Sequence, residues 1–264
     1  MKHFSFLHLF VRALGKSWQL PHLRIIYLHG VPPEFADRFR ELVDYFSKHF
    51  EIVPYSEAVH RLRTGALLRP CMAITFDDAD QTVYDYARPI LDARNLRPCV
   101  FAVADYLTKG WTYREPRQRK VMSWEALAEC ADLGWEVGNH TFSHPNLVNC
   151  SNHAVLEEVE KNKVTLERHL GRKIVHFAYP YGQFDSRTIK ILRNSGLCET
   201  QATTQRGQMC AGHDVHMLRR DRIDLEKTVD QIEKLMRLAD RFYWLRHVVH
   251  WLRRSIVFRG RQAT

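Results

Sequence analysis

Residues 72–78 read MAITFDD, a short apolar run that ends in two adjacent carboxylates, Asp77 and Asp78. Such a run predicts a buried strand over 72–76, and the apolar spacing over 82–93 predicts that a helix follows it. The same succession of strand and helix recurs about seven times between residues 24 and 196. Repeated strand–helix units build parallel sheets, and this number favours a closed α/β barrel over an open sheet.

The other elements follow from the same patterns. The predicted strands are 24–29, 50–53, 72–76, 98–103, 135–137 and 174–178, and the predicted helices are 35–46, 57–63, 82–93, 124–133, 154–170 and 186–193. Several of these helices are followed by glycine, which favours the left-handed conformation that ends a helix. In parallel α/β folds the working residues lie at the carboxyl ends of the strands. We therefore look for chemistry in the loops that follow the strands.

Composition sets the class of protein. The chain has 264 residues, of which 45% are hydrophobic and 26% charged, so it is expected to fold around a sizeable core and not to be disordered. Its net charge of +9 is concentrated at the ends, because residues 1–24 and 241–264 hold ten basic residues and no acid. The near-neutral body argues against nucleic-acid binding there and directs the search for an anionic partner to the termini.

Both ends have the pattern of a basic amphipathic helix. Apolar residues recur at steps of three and four from Leu238 to Ile256, with four arginines among them and two more directly after, and residues 4–18 repeat the pattern in shorter form. We expect an amphipathic N-terminal segment over 1–23, a barrel over 24–236 and an amphipathic C-terminal helix over 237–264. These ends suit an anionic membrane surface, although helices that pack on the barrel need the same apolar stripe.

The cysteines and the N-terminus predict a location. Six cysteines occur without a CxxC pair, which is simplest to explain by reduced thiols. The apolar stretch 4–11 is interrupted by His8 and lacks a small-x-small cleavage site, so it is a poor signal peptide. We expect a cytoplasmic protein, peripheral on the inner face of the membrane if the termini bind lipid.

Three strand ends carry candidate catalytic residues. Asp77 and Asp78 can share one site only where the strand ends and the chain turns, since neighbouring side chains of a strand point to opposite faces. One carboxylate would bind a metal and the other take a proton from water. His140 and His144, four residues apart after a predicted strand, complete a set of two His and one Asp with open positions. Residues 179–182, YPYG, form a third turn that points the Tyr181 amide toward the cleft.

In this order and context, the stretches 75–78 (TFDD), 140–144 (HTFSH) and 179–182 (YPYG) resemble the first three motifs of the polysaccharide deacetylases, carbohydrate esterase family 4. The resemblance covers roughly residues 24–225. It implies a distorted (β/α)₇ barrel that removes acetyl groups from sugars with one divalent metal, expected to be Zn²⁺, with Co²⁺, Ni²⁺ or Mn²⁺ as alternatives. An acetamido sugar of a cell-surface glycan is the expected substrate, and the basic amphipathic ends add the hypothesis that it is the lipid-linked precursor of such a glycan.

The resemblance also implies a role for each matching residue. Asp77 would be the general base, Asp78, His140 and His144 the metal ligands, and the Tyr181 amide an oxyanion donor. Three positions depart from the family pattern. Ala79 stands where glycine is usual, and Ala178 stands where an arginine orients the base, so we expect Arg220 or Arg222 to replace that arginine. The general acid is not clearly placed: His213 and His216 qualify by position, and His29 qualifies as a residue at the end of the first strand.

Two other functions remain open from the sequence. Residues 78–82, DADQT, match the DxDxT pattern of haloacid-dehalogenase-type phosphatases, in which Asp78 would be the nucleophile. That interpretation leaves His140 and His144 unexplained. A barrel that binds a membrane surface without catalysis is the second alternative, which the intact base and ligand set argue against.

Overall fold

The computed structural model describes residues 20–110 and 120–240. Its strands are β1 (Leu23–Leu28), β2 (Glu51–Ile52), β3 (Cys71–Asp77), β4 (Cys99–Ala102), β5 (Glu136–Asn139), β6 (His176–Ala178), β7 (Thr200–Ala202) and β8 (Asp221–Arg222). All pair in parallel in the order β7-β6-β5-β4-β3-β1-β8, and β2 pairs with the first two residues of β3. A parallel bridge from Ala202 to Leu218 links β7 to the segment that enters β8. The predicted distorted α/β barrel is confirmed.

Helices pack against this curved sheet, most of them on its outer face, whereas the helix Tyr55–Thr64 packs its buried side chains with the inward-pointing residues of the strands. The helices are α1 (Ala36–His49), α2 (Tyr55–Thr64), α3 (Arg88–Asp92), α4 (Ala104–Lys109), α5 (Trp124–Asp132), α6 (Asn152–Leu170), α7 (Ser186–Ser195) and α8, which covers 229–240. As predicted, Gly65, Gly171 and Gly196 end α2, α6 and α7 in the left-handed conformation. Within the described ranges, no helix combines the length and the apolar composition that crossing a bilayer requires.

One predicted helix is divided. The residues 82–93 form a π-helical turn, Val83–Ala87, followed by α3. Pro89 lies at the start of α3 and has no N–H to donate to the preceding turn, so the wider hydrogen-bonding pattern replaces the regular one there. The helical spacing correctly predicted that residues 82–93 are helical, but it did not predict the π-helical turn.

The core has two layers, separated by the strands. Leu23 and Ile25 of β1 point inward with Phe101 and Leu218, whereas Ile26 and Leu28 point outward to the helices. This alternation explains why β1 and β3 are mostly apolar, with Arg24 as the one charged residue inside β1, because a strand between an inner and an outer layer is buried on both faces. The site therefore rests on a rigid frame.

Two strands and one helix escaped the sequence patterns. The strand β7 reads TQA and β8 reads DR, so neither offers an apolar run. Both are short and depend on pairing with neighbours instead of on their own composition. The helix α4, only six residues long, is too short to show a helical period.

A buried ion triad fastens α8 to the barrel wall. Arg24 of β1 donates from its two terminal nitrogens to Asp221 of β8 and to Asp240 of α8. All three residues are at least 93% buried. Asp240 belongs to the predicted C-terminal segment 237–264, of which only residues 237–240 lie within the described chain. The predicted segment 1–23 is described only from residue 20, so both predicted terminal helices otherwise fall outside it.

We expect Arg24→Met to destabilise the fold by about 3–5 kcal/mol, because it leaves two buried carboxylates without their shared cation. Urea unfolding followed by circular dichroism measures this. Arg38→Met is a matched control, since Arg38 forms an exposed pair with Glu41 and its loss changes stability by about 1 kcal/mol or less. Equal stability of the two variants would show that the triad does not hold the wall.

Candidate active site

The two carboxylates meet because β3 ends between them. Asp77 is the last residue of β3, and the next two residues, Asp78 and Ala79, have φ of 69° and 56°. This left-handed turn reverses the usual alternation, so both acids are directed to the carboxyl end of the barrel. The positive φ at Ala79 also explains why glycine is usual at that position.

The histidine loop follows β5 and faces the same turn. The Nδ1–H of His140 donates to the carbonyl oxygen of Ala178 at 2.7 Å, which leaves the Nε2 of His140 as a lone-pair donor. That Nε2 lies 3.6 Å from Oδ1 of Asp78, and the Nε2 of His144 lies 3.4 Å from the same oxygen. The predicted ligand set is therefore brought together, with its donor atoms within 4.8 Å of one another.

This cluster fits a divalent cation. Oδ1 of Asp78 is buried and has no hydrogen-bond partner among the described residues. Burial lowers the pKa of both His140 and His144 to about 4, so at neutral pH the imidazoles are uncharged and cannot neutralise the carboxylate. Lone pairs that converge on one point are the arrangement that a bound cation stabilises. The separations of 3.4 and 3.6 Å suit a tetrahedral ion with bonds of about 2.1 Å.

Asp77 stands beside the cluster in a different environment. Nη1 and Nη2 of Arg220 donate to its two carboxylate oxygens at 2.6 and 2.9 Å. Burial by itself would raise the pKa of Asp77, but the Arg220 charge and hydrogen bonds outweigh it and hold that pKa below its usual range. The rings of Tyr27 and Phe101 flank the guanidinium, with centroids 4.7 and 5.2 Å from its central carbon.

The structure decides between the two arginines that the sequence offered. Arg220 occupies the place predicted for an arginine on the base. Arg222 does not, so the prediction that it might serve there is wrong. It follows Asp221, whose side chain points outward to Arg24, and it ends β8 as an exposed residue at the rim.

The remaining candidates lie at different distances from the cluster. Nε2 of His29 is 3.8 Å from Oδ2 of Asp78, and its side chain is 43% exposed. His213 contacts the carbonyl of Met217, and His216 contacts Gln201. Neither histidine contacts Asp77 or Asp78, so the prediction that one of them is the general acid is wrong. His29 is the candidate that the fold brings to the cluster.

Tyr181 lies on the third predicted loop. Its φ is 57° and its ring centroid is 4.5 Å from that of His144. Gly182 follows with φ of 64°, and a Cβ there would come within 2.0 Å of the Thr204 hydroxyl, so only glycine fits. The turn thus places the Tyr181 ring beside His144 of the ligand set, and the oxyanion role of the Tyr181 N–H stays a prediction.

Backbone strain concentrates at this site. Among the described residues, six non-glycine residues have positive φ, and five of them belong to the three loops. They are Asp78, Ala79, Thr141, His144 and Tyr181. Each such conformation costs about 1–3 kcal/mol and persists only where surrounding contacts hold it.

A pair of buried asparagines supplies part of that support, and sequence reasoning missed it. Oδ1 of Asn139 accepts from the Thr141 N–H at 2.9 Å and from Nδ2 of Asn162 at 2.8 Å. Asn162 also bonds the backbone of Ala102 and Ala104, which joins α6 to the end of β4. Its position offered a signal, because Asn162 falls on the buried stripe of α6 with Val155, Val159 and Leu166.

We expect Asn162→Ala to lower stability by about 2–4 kcal/mol, because it leaves several buried polar groups without partners. It should also weaken Zn²⁺ binding by about 10-fold or more, since the histidine loop loses a support. Urea unfolding and calorimetric titration with Zn²⁺ measure the two effects. Glu160→Ala, on the exposed side of the same helix, should change neither. Normal Zn²⁺ affinity in Asn162→Ala would show that the histidine loop keeps its conformation without Asn162.

The same geometry weakens the phosphatase alternative. Asp80, the second acid of the DxDxT pattern, accepts from both the N–H and the hydroxyl of Thr82 and so begins the π-helical turn. Asp78 instead faces two histidines, which that mechanism does not need. The pattern is accounted for by a helix start and a ligand set.

A profile of the family described as polysaccharide deacetylase matches residues 65–199, about half of the chain. The poly-β-1,6-N-acetyl-D-glucosamine N-deacetylase of Staphylococcus aureus strain MRSA252 is 21% identical over 170 residues, which are 61% of this chain and 57% of the relative. The protein of the same name from Staphylococcus epidermidis is 22% identical over 169 residues, 60% of this chain and 57% of the relative. The chain thus spans less than two thirds of these relatives.

Solved structures share the architecture. IcaB from Ammonifex degensii superposes with a TM-score of 0.70 at 25% identity, covering 84% of this chain and 98% of that one. The Streptococcus pyogenes deacetylase PplD, solved in complex with acetate, gives a TM-score of 0.71 at 20% identity, covering 82% of this chain and 99% of that one. At this identity, the second likeness is evidence for the fold.

Proposed function

The chain belongs to the polysaccharide deacetylase family, and on that premise we propose that it hydrolyses the N-acetyl group of an acetamido sugar. The main support is that one cleft holds two aspartates in different surroundings. Asp78 faces two neutral imidazoles, whereas Asp77 is bound by Arg220. The substrate that we propose is a cell-surface glycan or its lipid-linked precursor. The products are acetate and a free amine.

Asp78, His140 and His144 would hold the divalent ion. One carboxylate and two imidazoles favour Zn²⁺, and the same donors accept Co²⁺, Ni²⁺ or Mn²⁺. When bound, such an ion polarises the acetamide carbonyl and lowers the pKa of water. The Nδ1–H bond of His140 to Ala178 fixes its ring for this task before any ion arrives.

Asp77 would act as the general base. Its low pKa keeps it ionised at neutral pH, and both of its oxygens are oriented by Arg220. It takes a proton from the water whose oxygen attacks the carbonyl carbon. Arg220 holds the Asp77 carboxyl group in place while it takes up this proton. The rings of Tyr27 and Phe101, which flank the guanidinium, keep Arg220 in position.

Two further groups would complete the reaction. The Tyr181 N–H would donate to the oxygen that becomes negative in the tetrahedral intermediate. His29, close to Asp78 and partly exposed, would protonate the nitrogen as the carbon–nitrogen bond breaks. Its exposure allows it to regain a proton from solvent after each turnover.

Acetate release tests the proposal. Full-length protein supplied with Zn²⁺, Co²⁺, Ni²⁺ or Mn²⁺ is incubated with N-acetylglucosamine oligomers in β-1,4 and β-1,6 linkage, and acetate is quantified enzymatically. We expect release that a chelator abolishes and that the Asp77→Asn variant lacks. The absence of release from any acetylated sugar, in protein that binds Zn²⁺, would favour the barrel without catalysis.

We also propose that the basic ends bring the enzyme to the inner face of the cell membrane. The support is the sequence pattern of residues 1–23 and 241–264, of which only 20–23 lie within the described residues. Deletion of residues 241–264 should reduce co-sedimentation with vesicles containing phosphatidylglycerol, and less so with neutral vesicles. Unchanged binding to the anionic vesicles would remove the membrane part of the proposal.

A further inference from the structure

Two cavities adjoin at the carboxyl ends of β1 and β8, beside the ligand set. The first, which we call the His29 cavity, has a volume of about 150 Å³ and is lined in part by His29, Phe35, Arg222, Asp224 and Glu226. The second, the arginine cavity, has a volume of about 160 Å³ and is lined by Arg206, Arg222, Asp224, Lys227, Ile232, Leu235 and Met236. Arg222 and Asp224 line both, so the two cavities are neighbours.

The His29 cavity reaches the ligand set. His29 lines it and approaches Oδ2 of Asp78 to 3.8 Å. Tyr27, two residues earlier on β1, pairs in register with Arg222 and packs its ring under Arg220, which holds the base. The charges of Arg222 and Arg206 both act on Tyr27, so the guanidinium groups lie in its neighbourhood. A ligand in the two cavities would therefore extend outward from the reacting centre.

The arginine cavity carries an excess of positive charge. Lys227 is paired with Asp224 at 3.0 Å, whereas Arg206 and Arg222 have no carboxylate of the described residues within 4.0 Å. Both are exposed. This sets them apart, because most arginines of the described surface are paired with an acid. Two guanidinium groups without an acidic partner at one concave site are suited to bind an oxyanion, because each can donate two parallel N–H hydrogen bonds to it.

The His29 cavity differs in character. Asp224 and Glu226 line it beside Arg222, so its charge is close to balanced. Carboxylates accept hydrogen bonds from hydroxyl groups, and Phe35 offers an apolar surface, a combination that suits a neutral sugar ring. The arginine cavity thus suits the anionic group of a charged sugar, and the His29 cavity suits its neutral ring.

We propose that the arginine cavity binds an anionic group of the substrate, a phosphate or a carboxylate carried by the acetylated sugar whose ring lies in the His29 cavity. This inference rests on the proposed deacetylase function and narrows its substrate class to acidic acetamido sugars. Arg222, which does not serve the base, acquires a role in substrate binding. The apolar side chains of Ile232 and Met236 also line the arginine cavity.

Kinetics with the Arg206→Gln variant test the proposal, because Arg206 lines the arginine cavity but not the His29 cavity in which the sugar ring lies. The substrates are N-acetylglucosamine 1-phosphate, an N-acetylated sugar acid and the uncharged N-acetylglucosamine oligomer. We expect the KM of the anionic substrates to rise roughly 10-fold or more, with kcat and the KM of the neutral substrate within about twofold of native. A rise for only one of the two anions identifies the group. Arg168→Gln, an exposed arginine on α6 without an acidic partner among the described residues, is the control.

A binding measurement separates this proposal from the proposed function. Calorimetric titration with pyrophosphate is performed on Asp78→Asn protein, whose metal set is disabled, with the two arginines intact or replaced. Binding that disappears on replacement supports the anion site even if no sugar is deacetylated. Equal binding in both proteins, or equal KM changes for neutral and anionic substrates, overturns it.

Discussion

Asp78→Asn is expected to lose the bound metal ion and, with it, about 1000-fold or more of the acetate-releasing activity, since metal polarisation contributes several kcal/mol to such reactions. The amide retains the shape of the carboxylate but not its charge, so two neutral imidazoles remain without an anionic ligand. Metal content after dialysis against excess Zn²⁺ measures the first effect, with about one ion per native chain and none in the variant. The fold should be retained, because Oδ1 of Asp78 makes no hydrogen bond that the substitution would remove.

Asp85→Asn is the matched control: Asp85 is an exposed acid seven residues after Asp78 in the same loop–helix segment, and this variant should keep its metal. His140→Ala should repeat the loss seen in Asp78→Asn. A protein that binds only Mg²⁺, loses it on Asp78→Asn and keeps it on His140→Ala would contradict the ligand set and support phosphoryl transfer to Asp78.

Arg220→Met has the second large effect that we expect. It removes the bidentate partner of Asp77 and leaves a buried carboxylate without a counter-charge, which destabilises the fold by about 3–5 kcal/mol at neutral pH. Because the base loses both its orientation and its low pKa, kcat should fall about 100-fold or more. Urea unfolding and acetate-release kinetics measure the two losses.

The sign of the pH dependence follows from the Asp77 pKa. In the native protein this pKa is lowered, so the pair stabilises the fold above the pKa of an unfolded aspartate, and that stabilisation is lost as pH falls through the lower, folded value. In Arg220→Met, burial alone raises the pKa, and stability is lost as pH rises through it. The stability difference between native and variant should therefore be larger at pH 7 than at pH 4, and the acid limb of kcat should move to higher pH.

Arg172→Met, which breaks an exposed pair with Asp132, should alter neither kcat nor the acid limb. An Arg220→Met protein that is merely less stable, with the acid limb unmoved, would show that Arg220 supports the fold without setting the state of the base.

The sequence predicted those parts of the fold that depend on local patterns. Apolar runs marked β1 and β3, and glycines marked the ends of α2, α6 and α7. It failed where structure depends on partners, since β8 is two charged residues whose place is set by pairing with β1 and by Arg24. The π-helical turn before Pro89 was also beyond it, because helical spacing does not distinguish a wide turn from a regular one.

For the site, residue type and position after a strand were sufficient to assemble Asp77, Asp78, His140 and His144. Spacing could not choose between Arg220 and Arg222, because residues two apart leave the same face of a strand, and the choice depends on which of them lies level with Asp77 along the barrel. It also missed Asn139 and Asn162, whose contribution arises from contacts between elements 23 residues apart in sequence. The predicted metal identity, membrane association and cellular location stay predictions.

A Zn²⁺ titration of chelator-treated, full-length protein, followed by acetate release from an acetylated sugar, tests the central claim most directly. The account predicts that activity rises with added Zn²⁺ and stops rising at one ion per chain, and that Asp77→Asn binds the same single ion without releasing acetate. Full acetate release by the chelated protein, or by Asp77→Asn, would contradict it.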